Sequence, residues 1–198
     1  YFYEEALRQM PTDSILDIYI AKCLLRDVNM YAKKYNDALH YGTDAVQSIQ
    51  QLGLTGRYQN FEDSLIIANI YSLKGDSITS ARYLDEIFGR AFNAKLTWKD
   101  TLQLSKVGGI VSSHLNNWRQ TESMYDLSRQ IMKRFTPCDE TINTLNLYGN
   151  ALFHNEKFRD ALKVYEEQLD VCEKLYGKDS REYHWAQYCI ANILAYMG

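Results

Sequence analysis

Apolar positions along this chain recur at helical spacing. Leu145, Tyr148 and Leu152 fall three and four residues apart, and after a polar gap Phe158, Ala161, Leu162, Tyr165 and Leu169 resume the i, i+3, i+4, i+7 rhythm. The pattern predicts two amphipathic helices joined by a turn at His154-Asn155-Glu156-Lys157, with a glycine, Gly149, inside the first. Leu73-Lys74-Gly75-Asp76-Ser77 reads as the matching turn of another pair. Two prolines in 198 residues, and few Val, Ile or Thr runs, agree with a chain built of helices.

The pair repeats about every 40 to 42 residues. Gly149-Asn150-Ala151-Leu152 is echoed by Ala191-Asn192-Ile193-Leu194 downstream, while Gly109 precedes Trp118 as Gly149 precedes Phe158. Ala68 occupies the same place in a further copy. Lys34-Tyr35-Asn36-Asp37-Ala38-Leu39 parallels Lys157-Phe158-Arg159-Asp160-Ala161-Leu162 in a looser copy that needs about five inserted residues around Val28 to Ala32. A single hairpin cannot bury its apolar stripe, so successive copies are expected to stack into a solenoid. On this pattern Gly149 is expected to clear space for a close approach near Ala161.

These residues resemble a tetratricopeptide repeat. The family's small residue in the first helix matches Ala21, Ala68, Gly109, Gly149 and Ala191; that in the second matches Ala38, Ala81, Thr121 and Ala161. Tyr35, Trp118, Phe158 and Tyr165 match its aromatics, and Ala6 and Pro11 match the end of a preceding second helix. The resemblance implies an all-α fold, a right-handed α-solenoid of antiparallel helix hairpins with about four repeats and partial flanking helices. One solenoid domain, 1–198, then divides into 1–11, 12–57, 58–97, 98–138, 139–179 and 180–198, with the loop Gly53–Gly56 between repeats. A spacing above the usual 34 residues lengthens each helix by roughly one turn, and is similar to the kinesin-light-chain style of repeat. That style also occurs in bacterial arrays fused to caspase-like or signalling effectors. Because the chain opens on Tyr1 without a methionine, it is expected to belong to a longer parent.

Composition narrows the function. With 46% hydrophobic and 24% charged residues the chain is ordinarily globular, and a net charge of −3 without a basic stripe argues against nucleic acid. No apolar run is long enough to insert in a membrane, and a cytoplasmic setting is the default expectation. Cys23, Cys138, Cys172 and Cys189 form no C-x-x-C pair and are expected to be buried thiols. His40, His114, His154 and His184 lack metal-ligand spacing, no catalytic motif is visible, and no cofactor or enzymatic activity is expected.

The remaining signal is asparagine. Asn69, Asn150 and Asn192 each follow the small first-helix residue, whereas Ile110 and Lys22 interrupt the series. In the resembled family this position faces a concave groove, and an amide there would suit the N–H and C=O groups of a peptide. A commonplace solvated helix residue is the competing explanation. The resemblance carries Asn143, Asn146, Phe153 and His154 to the same surface, with Lys106, Ser113 and His114 from the preceding repeat and Trp185, Tyr188 and Tyr196 from the last helix. The expected function is a non-enzymatic scaffold holding a peptide or protein segment, anchored by Phe153, Trp185 and Tyr188. The alternative is a regulatory or sensor segment packing on an effector domain of a longer chain, whether a caspase-like protease, a kinase or a transcription regulator. Self-association through exposed solenoid ends is also expected, since Ile190, Ile193 and Leu194 lack a following helix.

Overall fold

A computed structural model describes residues 2–11, 14–51, 58–92 and 96–198. Among them are ten α-helices: α1 (Phe2–Gln9), α2 (Ile15–Tyr31), α3 (Tyr35–Gln51), α4 (Tyr58–Lys74), α5 (Ser77–Phe92), α6 (Trp98–His114), α7 (Trp118–Met132), α8 (Asp139–His154), α9 (Phe158–Tyr176) and α10 (Arg181–Met197). The fold is an all-α helical repeat solenoid. The loop Gly53–Gly56 and the side chain of Ala6 lie outside the described residues. The chain forms two compact units, 1–100 and 101–198.

Four hairpins, α2–α3, α4–α5, α6–α7 and α8–α9, close through the same turn. Its left-handed residue is Lys33 (φ 59°), Gly75 (φ 89°), Asn116 (φ 57°) and Glu156 (φ 60°) in turn. In the last of these Glu156 N–H donates to Phe153 O and Lys157 N–H to Leu152 O, both at 2.9 Å. The same pair of bonds recurs at Lys33 and Lys34, at Gly75 and Asp76, and at Asn116 and Asn117. These are Schellman turns, which satisfy the last carbonyls of each first helix. Glycine fits their left-handed position without strain; lysine and glutamate do not.

The equal turns set the register. Seven residues before the left-handed position stand Arg26, Ala68, Gly109 and Gly149, and nine residues after it stand Gly42, Leu84, Tyr125 and Tyr165. Bulk on one helix is matched by its absence on the other. A Cβ on Gly149 would lie 2.6 Å from Tyr165 Cζ, and one on Gly109 would lie 2.8 Å from Tyr125 Cζ. In the first hairpin the exchange reverses: Arg26 is the large residue, and a Cβ on Gly42 would approach its Cδ to 3.3 Å.

This register corrects three expectations, and burial corrects a fourth. Gly149 makes the expected close approach to the second helix, but the group it clears space for is the Tyr165 ring, one turn beyond Ala161. Arg26, instead of Ala21, is the first-repeat equivalent of Gly149, so α2 needs no insertion around Val28 to Ala32. Ser80, fully buried and donating its hydroxyl to Ala68 O at 2.8 Å, takes the place expected for Ala81. Cys138 is exposed immediately before α8, its backbone N–H held by Thr141 Oγ1 at 3.1 Å, while Cys172 and Cys189 are buried and Cys23 is partly so.

Within the first unit, α3 packs between α2 and α4. Arg26 is buried there because Asp63 of α4 receives its Nη1 at 2.6 Å, and the second Asp63 oxygen accepts from Tyr19 Oη at 2.9 Å. Such a pair is costly to break, since either partner left alone is a buried uncompensated charge. In the second unit the core runs through Leu145, Leu152, Val164, Tyr165, Cys172 and Ile193. The buried residues of α9, Ala161, Val164, Tyr165, Gln168, Val171 and Cys172, follow the helical rhythm, with one amide among apolar neighbours.

Candidate binding cleft

The asparagine following the small first-helix residue meets different partners in different repeats. Asn150 accepts a hydrogen bond from Tyr165 Oη at 2.7 Å, through Oδ1. In the second unit's preceding hairpin Ile110 stands at that position, and the buried hydroxyl of Tyr125 has no partner. In the first unit Leu84 replaces the tyrosine, and it is Oδ1 of Asn69 that is buried without a partner. Burial raises the pKa of both Tyr125 and Tyr165. Asn192, on α10, is exposed.

A cleft of about 300 Å³ opens between α8 and α10, with α9 beneath. Asn143 and Asn146 enter it from α8, Arg181, Glu182 and Trp185 from α10, and Gln168 from α9. Trp185 Nε1 donates to Asn146 Oδ1 at 3.0 Å, which fixes that amide so that its NH2 is the end left over. Trp185, on the border of the cleft, is 50% exposed, and Tyr188, with its ring centroid 5.5 Å from that of Trp185, stands beside it 61% exposed. Ser180 accepts from Tyr183 N–H at 3.2 Å and caps α10, which positions Arg181 and Glu182 on its first turn.

The other expected site residues lie elsewhere. Phe153 packs edge-on to Phe158 (5.5 Å) and Tyr196 (5.0 Å), inside an aromatic cluster. His154 stacks flat on Trp118, centroids 3.8 Å apart. Beside them Asn155 Nδ2 donates to Trp118 O at 3.0 Å and Glu122 Oε2 at 2.7 Å, tying α7 to the next turn. Lys106 pairs with Glu140 at 2.9 Å, and His114, at the exposed end of α6, has its pKa lowered by desolvation. Thus Asn143, Asn146 and Trp185 converge, with Tyr188 adjacent, while Phe153, His154 and Lys106 are engaged in packing or pairing.

Gln168, Arg181 and Glu182 escaped the sequence analysis. Only Gln168 left a trace: it falls three residues after Tyr165 and four before Cys172, on an otherwise apolar stripe. Among the described residues no group of His, Cys, Asp and Glu is arranged to hold a metal, and no helix is long and apolar enough to cross a membrane.

No family model matches the sequence, nor does any curated protein. Solved structures do match in fold. One is a kinesin light chain-type protein of Podosopora anserina with nearly identical TPR-like repeats (TM-score 0.73, 9% identity, covering 88% of this chain and 84% of that one). A second is a signal transduction ATPase with numerous domains (STAND) protein with a tetratricopeptide repeat sensor, from Pyrococcus horikoshii (TM-score 0.75, 14% identity, covering 98% of this chain and 28% of that one). A third is BtubC (BKLC) from P. vanneervenii (TM-score 0.71, 12% identity, covering 98% and 87%).

Proposed function

We infer that this chain, a TPR-like helical repeat protein in fold, is a non-enzymatic scaffold that holds an extended peptide segment across α8 and α10. The observation carrying this is the convergence of Asn143, Asn146 and Trp185 on one cleft, with Tyr188 exposed beside it. Large uncovered aromatics supply contact area at low entropic cost, and the amides supply donors and acceptors for main-chain groups. Asn192, one helical turn beyond Tyr188, extends the same polar border. Asn150 contributes less, because Tyr165 already occupies its Oδ1.

The test is selection of a peptide from a random library on the full chain, followed by affinity measurement with the Asn146→Ala/Trp185→Ala double variant. Binding weakened at least roughly tenfold, at unchanged helicity and melting temperature, is expected from loss of an aromatic anchor and a hydrogen bond. Unchanged affinity would sink the assignment.

A second reading follows from the STAND protein, of which the matching region is 28%. There the repeats are a sensor, and by analogy this chain would report ligand capture to an effector domain of a longer protein. Both readings place the first event in the same cleft.

A further inference from the structure

Gln168 is 1% exposed, lines the cleft between α8 and α10, and its Oε1 is buried without a hydrogen-bond partner. Packing does not explain the amide. The equivalent positions of the other three hairpins, ten residues into each second helix, hold Ala45, Ile87 and Ser128, all buried. Ser128 is satisfied by Ser105 Oγ at 2.6 Å, and Ala45 and Ile87 need no partner. The scaffold therefore accepts a small or apolar residue here. A primary amide left unpaired at the same place forfeits its hydration with nothing in return.

We propose that this cleft is a side-chain pocket for a primary carboxamide, the side chain of a glutamine or asparagine in a bound peptide; the proposal rests on the peptide-binding reading above. With the Gln168 side chain turned toward the cleft to bring out its buried oxygen, it and an incoming carboxamide form a ring of two hydrogen bonds, each N–H donating to the other's oxygen. That pairing works whichever way the Gln168 amide is turned, whereas a purely donating or purely accepting group satisfies one orientation only. Asn146, whose Oδ1 is held by Trp185, offers its NH2 to the second lone pair of the ligand's oxygen. The charges bordering the cleft, Arg181 and Glu182, are of opposite sign. For a carboxylate or an ammonium the attraction of one offsets the repulsion of the other, so the border selects neither charge and leaves the choice to the amide pairing. The apolar side of the pocket is Ile142, which suits the methylenes of a glutamine.

The experiment titrates the 15N-labelled full chain with N-acetyl-glutamine N-methylamide, and separately with the glutamate and norleucine analogues. The side-chain NH2 signals of Gln168 are assigned with Gln168→Leu, a substitution of similar size that removes the orphaned oxygen. The glutamine probe is expected to shift the Gln168 NH2 and Trp185 indole signals saturably, and the other two to bind roughly tenfold more weakly or worse. Gln168→Leu should erase the difference at unchanged helicity. Should that variant not fold, Asn146→Ala, on a partly exposed face, tests the same selectivity. Equal responses to all three probes, or no response to any, would overturn the pocket. Library peptides that bind without enrichment of glutamine or asparagine at any position would overturn the pocket and leave the groove standing. Selective glutamine binding with no peptide recovered would support the pocket and remove the groove.

Discussion

The hydroxyl of Tyr165 donates to Oδ1 of Asn150 at 2.7 Å, across the same hairpin in which Gly149 admits the Tyr165 ring. Glycine, asparagine and tyrosine act as one set: the first makes room, the third fills it, and the second takes up the buried hydroxyl. The neighbouring repeats carry incomplete versions of the set, which makes its parts separable by mutation.

Gly149→Ala should destabilise the protein by about 1–2 kcal/mol. The added Cβ would meet the ring at 2.6 Å, an overpacking cost of about 1–3 kcal/mol, against which the better helix propensity of alanine returns at most about 1 kcal/mol. Adding Tyr165→Leu reproduces the Ala68 and Leu84 pairing, and a double-mutant cycle in urea should show the two changes to be strongly non-additive. Additive losses would contradict the size exchange.

Ile110→Asn should stabilise the protein by about 1 kcal/mol, because Oδ1 at that position would accept from the orphaned hydroxyl of Tyr125. Asn150→Leu is the converse, leaving Tyr165 unpaired and lowering the urea midpoint. No gain from the first substitution would mean that Tyr125 is satisfied by water.

The hairpin turns offer a third test. Lys33 and Glu156 hold left-handed backbone that Gly75 occupies freely. Lys33→Gly and Glu156→Gly should each raise stability by about 0.5–1 kcal/mol, the relief of left-handed strain exceeding the entropy glycine adds to the unfolded chain. Gly75→Ala should have the opposite effect. Thermal melts of the three variants decide it.

Stability should fall on the alkaline side. Burial raises the pKa of Cys172 and Cys189, and of Tyr125 and Tyr165, so the unfolded chain loses those protons first. The folded state then binds more protons than the unfolded one, and unfolding becomes easier as pH climbs through the ordinary thiol value near 9.0 and phenol value near 10.0. Below that window these groups contribute their full stability. Urea midpoints measured against pH should decline there, and less steeply for Cys172→Ala/Cys189→Ala than for the wild type at its own plateau.

The sequence made the helix hairpins and their period legible because both are written in apolar spacing, as at Phe158, Ala161 and Tyr165. Pairing was harder to read. By size Ala21 is the match for Gly149 in the sequence, whereas in the structure Arg26 holds the position with its bulk accommodated by Gly42 on the opposite helix. That exchange leaves no local signature. The convergence of Asn146 with Trp185 joins residues 39 apart and depends on how α8 and α10 pack over α9. Gln168 was visible only as a polar residue on an apolar stripe, a place where most glutamines are simply exposed.

Whether a peptide lies across α8 and α10 can be read at the three tryptophan indole N–H signals of the 15N-labelled chain, with that of Trp185 assigned by Trp185→Phe, as a library-selected peptide is added. The Trp185 signal should move saturably with the binding isotherm while that of Trp98 stays in place. A peptide that binds tightly and leaves the Trp185 signal unmoved would place the binding surface elsewhere.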